Sequence, residues 1–311
     1  SQVYQNTDVF KFFEIQKKQF LMRATADDLA WVESKRKDKK FMSDLSVFGN
    51  FIHGTHVSGI TTLFAKSAKV VGIKLLPTKS PLSSKNNLDD PDPSKVGRTW
   101  KGPKNPPQQT TGKRIELLKK LLQQVALLNS QNLLPIGHYV NWTESEVANG
   151  SFGIGSTQAK MIVGMLFKVF FFRTGQDDEL MPLMKYFLQE VTKAQKSFVE
   201  VAPDTLFVFA AGNDGTDNDI FPAAPASVEG ENVISVAASF GNTKLAKFSN
   251  FGKTTVDIAA PGVFINSSIP VNRYMEVSGT SQASPRVAAV AAHILEINSR
   301  LSPADVKKIL M

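Results

Sequence analysis

Apolar residues recur at helical spacing through the first 45 residues, at Val9, Phe12, Phe13, Phe20 and Leu21, and predict helices there. In "TADDLAWVE", Thr25 and Asp28 stand three apart, as in a capping box at a helix start. A turn at Gly49 and Asn50 is expected before "NFIHGTHVSGI", with a helix from Thr55 to about Ala65. "KVVGIKLL", Lys69 to Leu76, then reads as a buried strand. From Pro77 to Gly112 periodicity disappears and seven of the 16 prolines collect, which predicts an exposed loop insertion. "RIELLKKLLQQVALL" resumes an amphipathic helix, with Ile115, Leu118, Leu122 and Val125 on one face. Beyond it, strand patterns at 145–153, 205–213, "NVISVAAS" and "TTVDIAAPG" are interleaved with helical patterns at 157–172 and 180–199. Strands alternating with helices predict an α/β fold with a mainly parallel sheet covered on both faces. Chemistry in such sheets gathers at the carboxyl ends of the strands.

Composition narrows the chemistry. With 311 residues, 42% of them apolar, the chain can bury a large core, as one large domain or two small ones. It has no cysteine, which excludes disulfides, thiolate nucleophiles and thiolate-bound zinc, and its four histidines are the whole supply of imidazole. The net charge of +8 is spread among acids, as in "ESKRKDKKF", and reads as a solvated helix face rather than a nucleic-acid footprint. "MIVGMLFKVFFF", 161–172, is short for a membrane span and contains Lys168, so it reads as a core helix. "SQVYQNTDVF" carries neither an initiator methionine nor a signal peptide, while "LSPADVKKILM" opens like a helix capped by Ser302 ahead of Pro303 and has no terminating signal. Both ends read as cut.

Three stretches hold candidate chemistry. In "SGTSQASPRVAAVAA", Ser281 heads a helix of small residues whose start is placed by Pro285, where free amides and the helix dipole favour developing negative charge. Taken alone, Ser281 reads as an N-cap before it reads as a nucleophile, and His53 in "NFIHGTHVSGI" as a loop histidine bonded to backbone. Asn213, in "AAGNDG" at a strand's carboxyl end, either makes a turn or offers an N–H to an oxyanion.

In this order, "HGTHVSGI", "SFG", "AAGNDG" and "GTSQASP" resemble the subtilisin-like serine peptidases, the subtilases. "FPAAPASVEGENVISVAAS", "KFSNFGKTTVDIAAPG" and "LSPADVKKIL" resemble the family's connecting segments, so the likeness runs from His53 to Leu310, leaving out the Pro-rich stretch and parts of the central helices. It implies a three-layer α/β fold forming a single catalytic domain over 1–311, truncated at both ends, with a helical insertion at 1–48 and a Pro-rich loop insertion at 77–112. By the same resemblance His53 is the general base and His56 structural, Ser281 the nucleophile, and Asn213 with the Ser281 N–H the oxyanion donors. Ser151, Phe152 and Gly153 match the segment that pairs with the substrate backbone. The resemblance also implies a polypeptide substrate, a monomer, export from the cell, and no required cofactor, although calcium is common in the family and no ligand set can be matched here. Arg286, Gln282 and Ala289 depart from residues frequent in the family and bear on helix packing rather than on the proton path.

What is missing is the acid. Subtilases orient the histidine with an aspartate in a phrase such as Asp-Thr-Gly upstream of it, and this chain has none. Asp8, Asp27, Asp28 and Asp44, all upstream of His53, follow no buried strand and precede no glycine. The expectation is that the acid's strand precedes residue 1, leaving a poor peptidase. The alternative is an inactive member of the fold that binds peptides or a protein partner. A dinucleotide site is excluded, because "GSFGIGS" has no acidic partner downstream.

Overall fold

The computed structural model describes residues 7–65, 67–75, 108–241 and 243–311. The described residues fall into two compact units, one comprising 7–56, 72–75 and 268–273, the other comprising the rest.

The first unit is helical. It contains α1 (Thr7–Phe20), α2 (Ala26–Lys37) and the larger part of α3 (Lys39–Thr61). Val9, Phe12, Ile15, Val32, Phe41, Phe48 and Ile52 are buried, and Phe48 meets the rings of Phe10 and Phe13. The expected cap at α2 is present: Thr25 Oγ1 accepts from Asp28 N at 3.1 Å and Asp28 Oδ2 accepts from Thr25 N at 3.1 Å.

Four expectations in this part of the chain are corrected. Gly49 and Asn50 make no turn, because α3 runs through them unbroken; the roughly 1 kcal/mol cost of a glycine in a helix is outweighed by the buried anchors Phe41, Phe48 and Ile52. The helix expected from Thr55 to Ala65 is the end of α3 and stops at Thr61. Lys69–Leu75 forms no strand and is exposed, since a strand needs a ladder partner and none of the described strands pairs with it. The Pro-rich stretch up to residue 107 lies outside the described residues, and its last part, 108–112, is helical rather than loop.

The second unit is layered. Its helices are α4 (Gln108–Gln131), α5 (Leu134–Trp142), α6 (Ser156–Phe171), α7 (Asp177–Glu200), α8 (Thr280–Ile297) and α9 (Pro303–Leu310). A five-stranded sheet holds β1 (Val147–Gly150), β2 (Leu206–Ala210), β3 (Val233–Phe240), β4 (Lys244–Leu245) and β5 (Ile258–Pro261). β1, β2, β3 and β5 run parallel in the order β1-β2-β3-β5, and β4 joins β3 antiparallel. β6 (Ile265–Ile269) and β7 (Arg273–Val277) form a separate two-stranded sheet.

The alternation within β2 shows why helices lie on both faces. Leu206 and Val208 point into a core with Ala283, Val287, Ala288 and Ala291 of α8 and Val306 of α9. Phe207 and Phe209 point the other way, into a core with Phe198 and Val199 of α7 and Val140 of α5. The observed fold class is therefore the expected α/β with a mainly parallel sheet between two helical layers. A third core lies between α4, α6 and α7 around Leu118, Val163, Phe167 and Phe187. The helix expected at 157–172 packs by one face only: Ala159, Val163 and Phe167 are buried while Met161, Met165 and Val169 stay exposed.

Candidate active site

Ser151, Asn213 and Ser281 come together in the second unit, at the carboxyl ends of β1 and β2 and at the start of α8. β1 stops at Gly150, where a Cβ would collide with the Phe209 ring, so only glycine lets the chain pass over that ring into the extended segment Ser151–Gly153. Phe152 stacks edge-on against Phe209 at 6.4 Å. The next residue, Ile154, bridges to Ala224, N to O at 2.9 Å and O to N at 3.0 Å, which holds the far end of the segment.

Ser281 is the second residue of α8, whose N-cap is Gly279 with no side-chain capping bond. The N-cap reading of Ser281 is thus replaced. Its N–H lies in the first turn, where no carbonyl stands one turn back to accept it. Its Oγ donates to Ser151 O at 3.3 Å. Pro285, four residues on, has no N–H for the Ser281 carbonyl, and that carbonyl accepts instead from Ser151 Oγ at 2.9 Å. Ser151 Oγ also shares a bond with Ser284 Oγ at 3.0 Å and accepts from Asn149 Nδ2 at 2.9 Å. The proline that places the helix therefore also frees the acceptor that ties α8 to Ser151.

Asn213 follows β2, beyond Gly212, whose φ of +112° is open to glycine at little cost. The Asn213 side chain is exposed, yet one end of it is fixed: Oδ1 accepts from Thr280 N at 2.8 Å and from Thr280 Oγ1 at 3.0 Å. A backbone N–H can only donate, so Oδ1 must be the bonded end and Nδ2 is left to donate elsewhere. Thr280 itself is fully buried, and its Oγ1 accepts from Gly212 N at 3.2 Å. Asn213 is thus bolted to the residue preceding Ser281, and the turn-making alternative does not describe its side chain.

His53 belongs to the first unit, half-buried in the middle of α3 rather than in a loop. Burial pushes its imidazole below the ordinary histidine value, and His56, three residues on and fully buried, pushes the same way. None of the five upstream aspartates, Asp8, Asp27, Asp28, Asp38 and Asp44, is bonded to the His53 ring among the described residues; Asp38, which the sequence reading passed over, accepts from Lys40 N at 2.9 Å and Phe41 N at 3.1 Å at the start of α3. Asp8 pairs with Lys35 Nζ at 2.5 Å, and Asp28 is occupied in the cap of α2. Among the described residues no group of three or more His, Asp or Glu side chains is placed to hold a metal ion.

Several supporting residues carry no motif of their own. Thr280 and Ser284 bond partners 67 to 133 positions away, Asn149 bonds Ser151 two residues on, and the one local clue was the proline that leaves a carbonyl unmatched.

Comparison with known proteins bears on this site. A sequence model of the subtilase family, peptidase S8, matches residues 143–311, just over half of the chain; Ser151, Asn213 and Ser281 lie within the match and His53 lies before it. The chain is 50% identical over 88 residues to the thermophilic serine proteinase of Bacillus sp. (strain AK1), covering 28% of this chain and 20% of that protein. It is 40% identical over 106 residues to alkaline elastase YaB of Bacillus sp. (strain YaB), covering 34% and 26%, and 41% identical over 93 residues to subtilisin-like protease 2 of Plasmodium falciparum (isolate 3D7), covering 30% and 7%. Each match thus takes in about a quarter or less of the relative's own length. Among solved structures, that of a cold adapted subtilisin-like serine proteinase is 28% identical with a TM-score of 0.36, over 52% of this chain and 45% of that one. With the family matched over residues 143–311, this chain belongs to the subtilases.

Proposed function

We propose that the chain carries the catalytic residues of a subtilisin-like serine endopeptidase acting on polypeptides. Ser281 is the nucleophile, His53 takes its proton, and Asn213 Nδ2 with the Ser281 N–H stabilises the tetrahedral oxyanion. The extended segment Ser151–Gly153 pairs with the substrate backbone as an added strand, which gives affinity without reading side chains. The observation that carries this reading is the pair of hydrogen bonds that Thr280 N and Thr280 Oγ1 donate to Asn213 Oδ1, which leaves the opposite, donating end of the amide beside the nucleophile's helix start. A turn-forming asparagine has no need of such a clamp. In subtilisin itself, loss of the equivalent donor costs about 10²–10³ in kcat.

The mechanism also needs a carboxylate to hold the His53 tautomer. Misplacing that group costs roughly 10⁴ in kcat in trypsin-type enzymes, so turnover by this chain alone is expected to be low. That no described aspartate bonds the His53 ring gives a second reading its one support: a peptide-binding member of the family that has abandoned catalysis. We assign the protein to an extracellular setting and to a monomeric state on family likeness alone. No helix among the described residues is long and apolar enough to cross a membrane.

Incubation with a fluorophosphonate serine probe separates the two readings. Slow labelling that disappears in Ser281→Ala and falls in His53→Ala supports the peptidase. No labelling, together with binding of an extended peptide, supports the peptide-binding alternative.

A further inference from the structure

Two asparagines that touch neither substrate nor nucleophile hold the Asn213 loop from behind. Asn250 is fully buried and Asn218 is 1% exposed. Asn250 Oδ1 accepts from Asp214 N at 2.8 Å and from Thr216 N at 3.3 Å, and Asn250 N donates to Gly212 O at 2.9 Å. Its Nδ2 donates to Asn218 Oδ1 at 3.0 Å, and Asn218 Nδ2 donates to Ala211 O at 2.9 Å. The two amides thus run head to tail from a carbonyl that can only accept, at Ala211, to N–H groups that can only donate, at Asp214 and Thr216. Neither can flip without setting oxygen against oxygen at one end and N–H against N–H at the other. The anchors bracket Asn213 on both sides, at 211, 212, 214 and 216. Gly212 is part of the arrangement, since a Cβ there would collide with Asn250 Nδ2.

We propose that Asn250 and Asn218 are positioning residues for Asn213, fixing the loop backbone so that the amide clamped by Thr280 meets the oxyanion without reorganising. Buried amides without partners are costly, and a chain of fully matched ones is rigid. A preorganised donor stabilises the transition state more than the bound substrate, so the relay acts on kcat rather than KM. This inference rests on the oxyanion role given to Asn213 above.

Asn250→Asp tests it with packing preserved. The carboxylate still accepts from Asp214 N and Thr216 N, but it turns an oxygen toward Asn218 Oδ1 and breaks the relay. Expected is a loss in kcat of roughly ten-fold near neutral pH with KM within about two-fold, the ratio to the parent recovering in acid as the new carboxyl gains a proton to donate. In an Asn213→Ala background the same change should cost nothing further. Asn218→Ala, which leaves Asn250 bonded to the loop, should lose less. An undiminished kcat in Asn250→Asp, or an equal loss in the Asn213→Ala background, would overturn the proposal. Amide exchange at Asp214 and Thr216 tests the relay without turnover. Exchange roughly ten-fold faster in Asn250→Asp, with other amides unchanged, supports it, and unchanged protection overturns it. If Asn213→Ala leaves turnover intact while these amides respond, the oxyanion reading fails and the relay stands.

Discussion

A general base works only while it is neutral, and His53, the base proposed above, is shifted toward neutrality. Burial, then His56, lowers its pKa, so the pH below which activity falls should lie under the ordinary histidine value near 6.5. The sign for stability follows from the same shift. The unfolded chain binds the proton first as pH falls, so between the unfolded and the lowered folded pKa the folded state loses stability with acid. In a His56→Gln variant one of the two depressing causes is gone, so the acid limb of the rate of phosphonylation by the fluorophosphonate probe should move to higher pH. An unmoved limb would mean that burial alone sets it. At Gly212 the backbone itself is at stake. Alanine there must hold a positive φ and displace Asn250, so we expect a loss of about 1–3 kcal/mol in denaturant titrations, with kcat falling as well. Ser281, Asn213 and Ser151 were legible as candidates because each sits within a short phrase that resembles a subtilase motif, and the fold brings the three together. Thr280, Asn250 and Asn218 could not, because their roles reside in bonds to residues that only the fold brings near.

At the scale of elements, patterns with their own local cause were legible and those awaiting a partner were not. The α2 capping box, the Ser302 start of α9, and the four parallel strands were all readable from residues within a few positions. α3 overrode its glycine through packing, Lys69–Leu75 lacked a neighbouring strand, and the β6-β7 hairpin and α5 gave no signal strong enough to read. One loop contact yields a prediction of its own. The exposed Asp219 carboxylate accepts from the N–H groups of Lys253, Thr254 and Thr255 and from both threonine hydroxyls, and these bonds hold its pKa down to about 2. Its folded pKa is depressed, so its contribution is present above the unfolded value near 4 and lost as pH falls toward 2. Asp219→Asn should therefore lower the thermal midpoint at pH 7 and leave it nearly unchanged at pH 2. An equal deficit at both would assign the effect to shape, not charge. In α8, Ala289 is fully buried, and leucine there should destabilise by about 1–3 kcal/mol through overpacking.

At the scale of the second unit, the sheet is a wall shared by two cores that reach the site differently, one through α8, which begins at Thr280 and Ser281, the other through Phe209 against Gly150 and Phe152. Leu206 faces the α8 side and is fully buried there; Phe209 faces the α7 side and is buried to 1%. Truncating either to alanine removes comparable apolar burial, so we expect losses of about 2–5 kcal/mol for Leu206→Ala and 3–5 kcal/mol for Phe209→Ala by calorimetry. Their effects on the site should differ. Phe209 fills the space over Gly150 and backs Phe152 in the segment proposed to pair with substrate, whereas Leu206 points to the opposite face of the sheet. At a temperature where both variants remain folded, Phe209→Ala should weaken binding of a substrate-like peptide aldehyde, and Leu206→Ala should bind it like the parent. Equal affinity in the two variants would show that the bridge from Ile154 to Ala224 holds the segment without help from the core beneath it. A selective loss would mean that the aromatic layer behind β2 sets the shape of the substrate edge as well as the stability of the sheet.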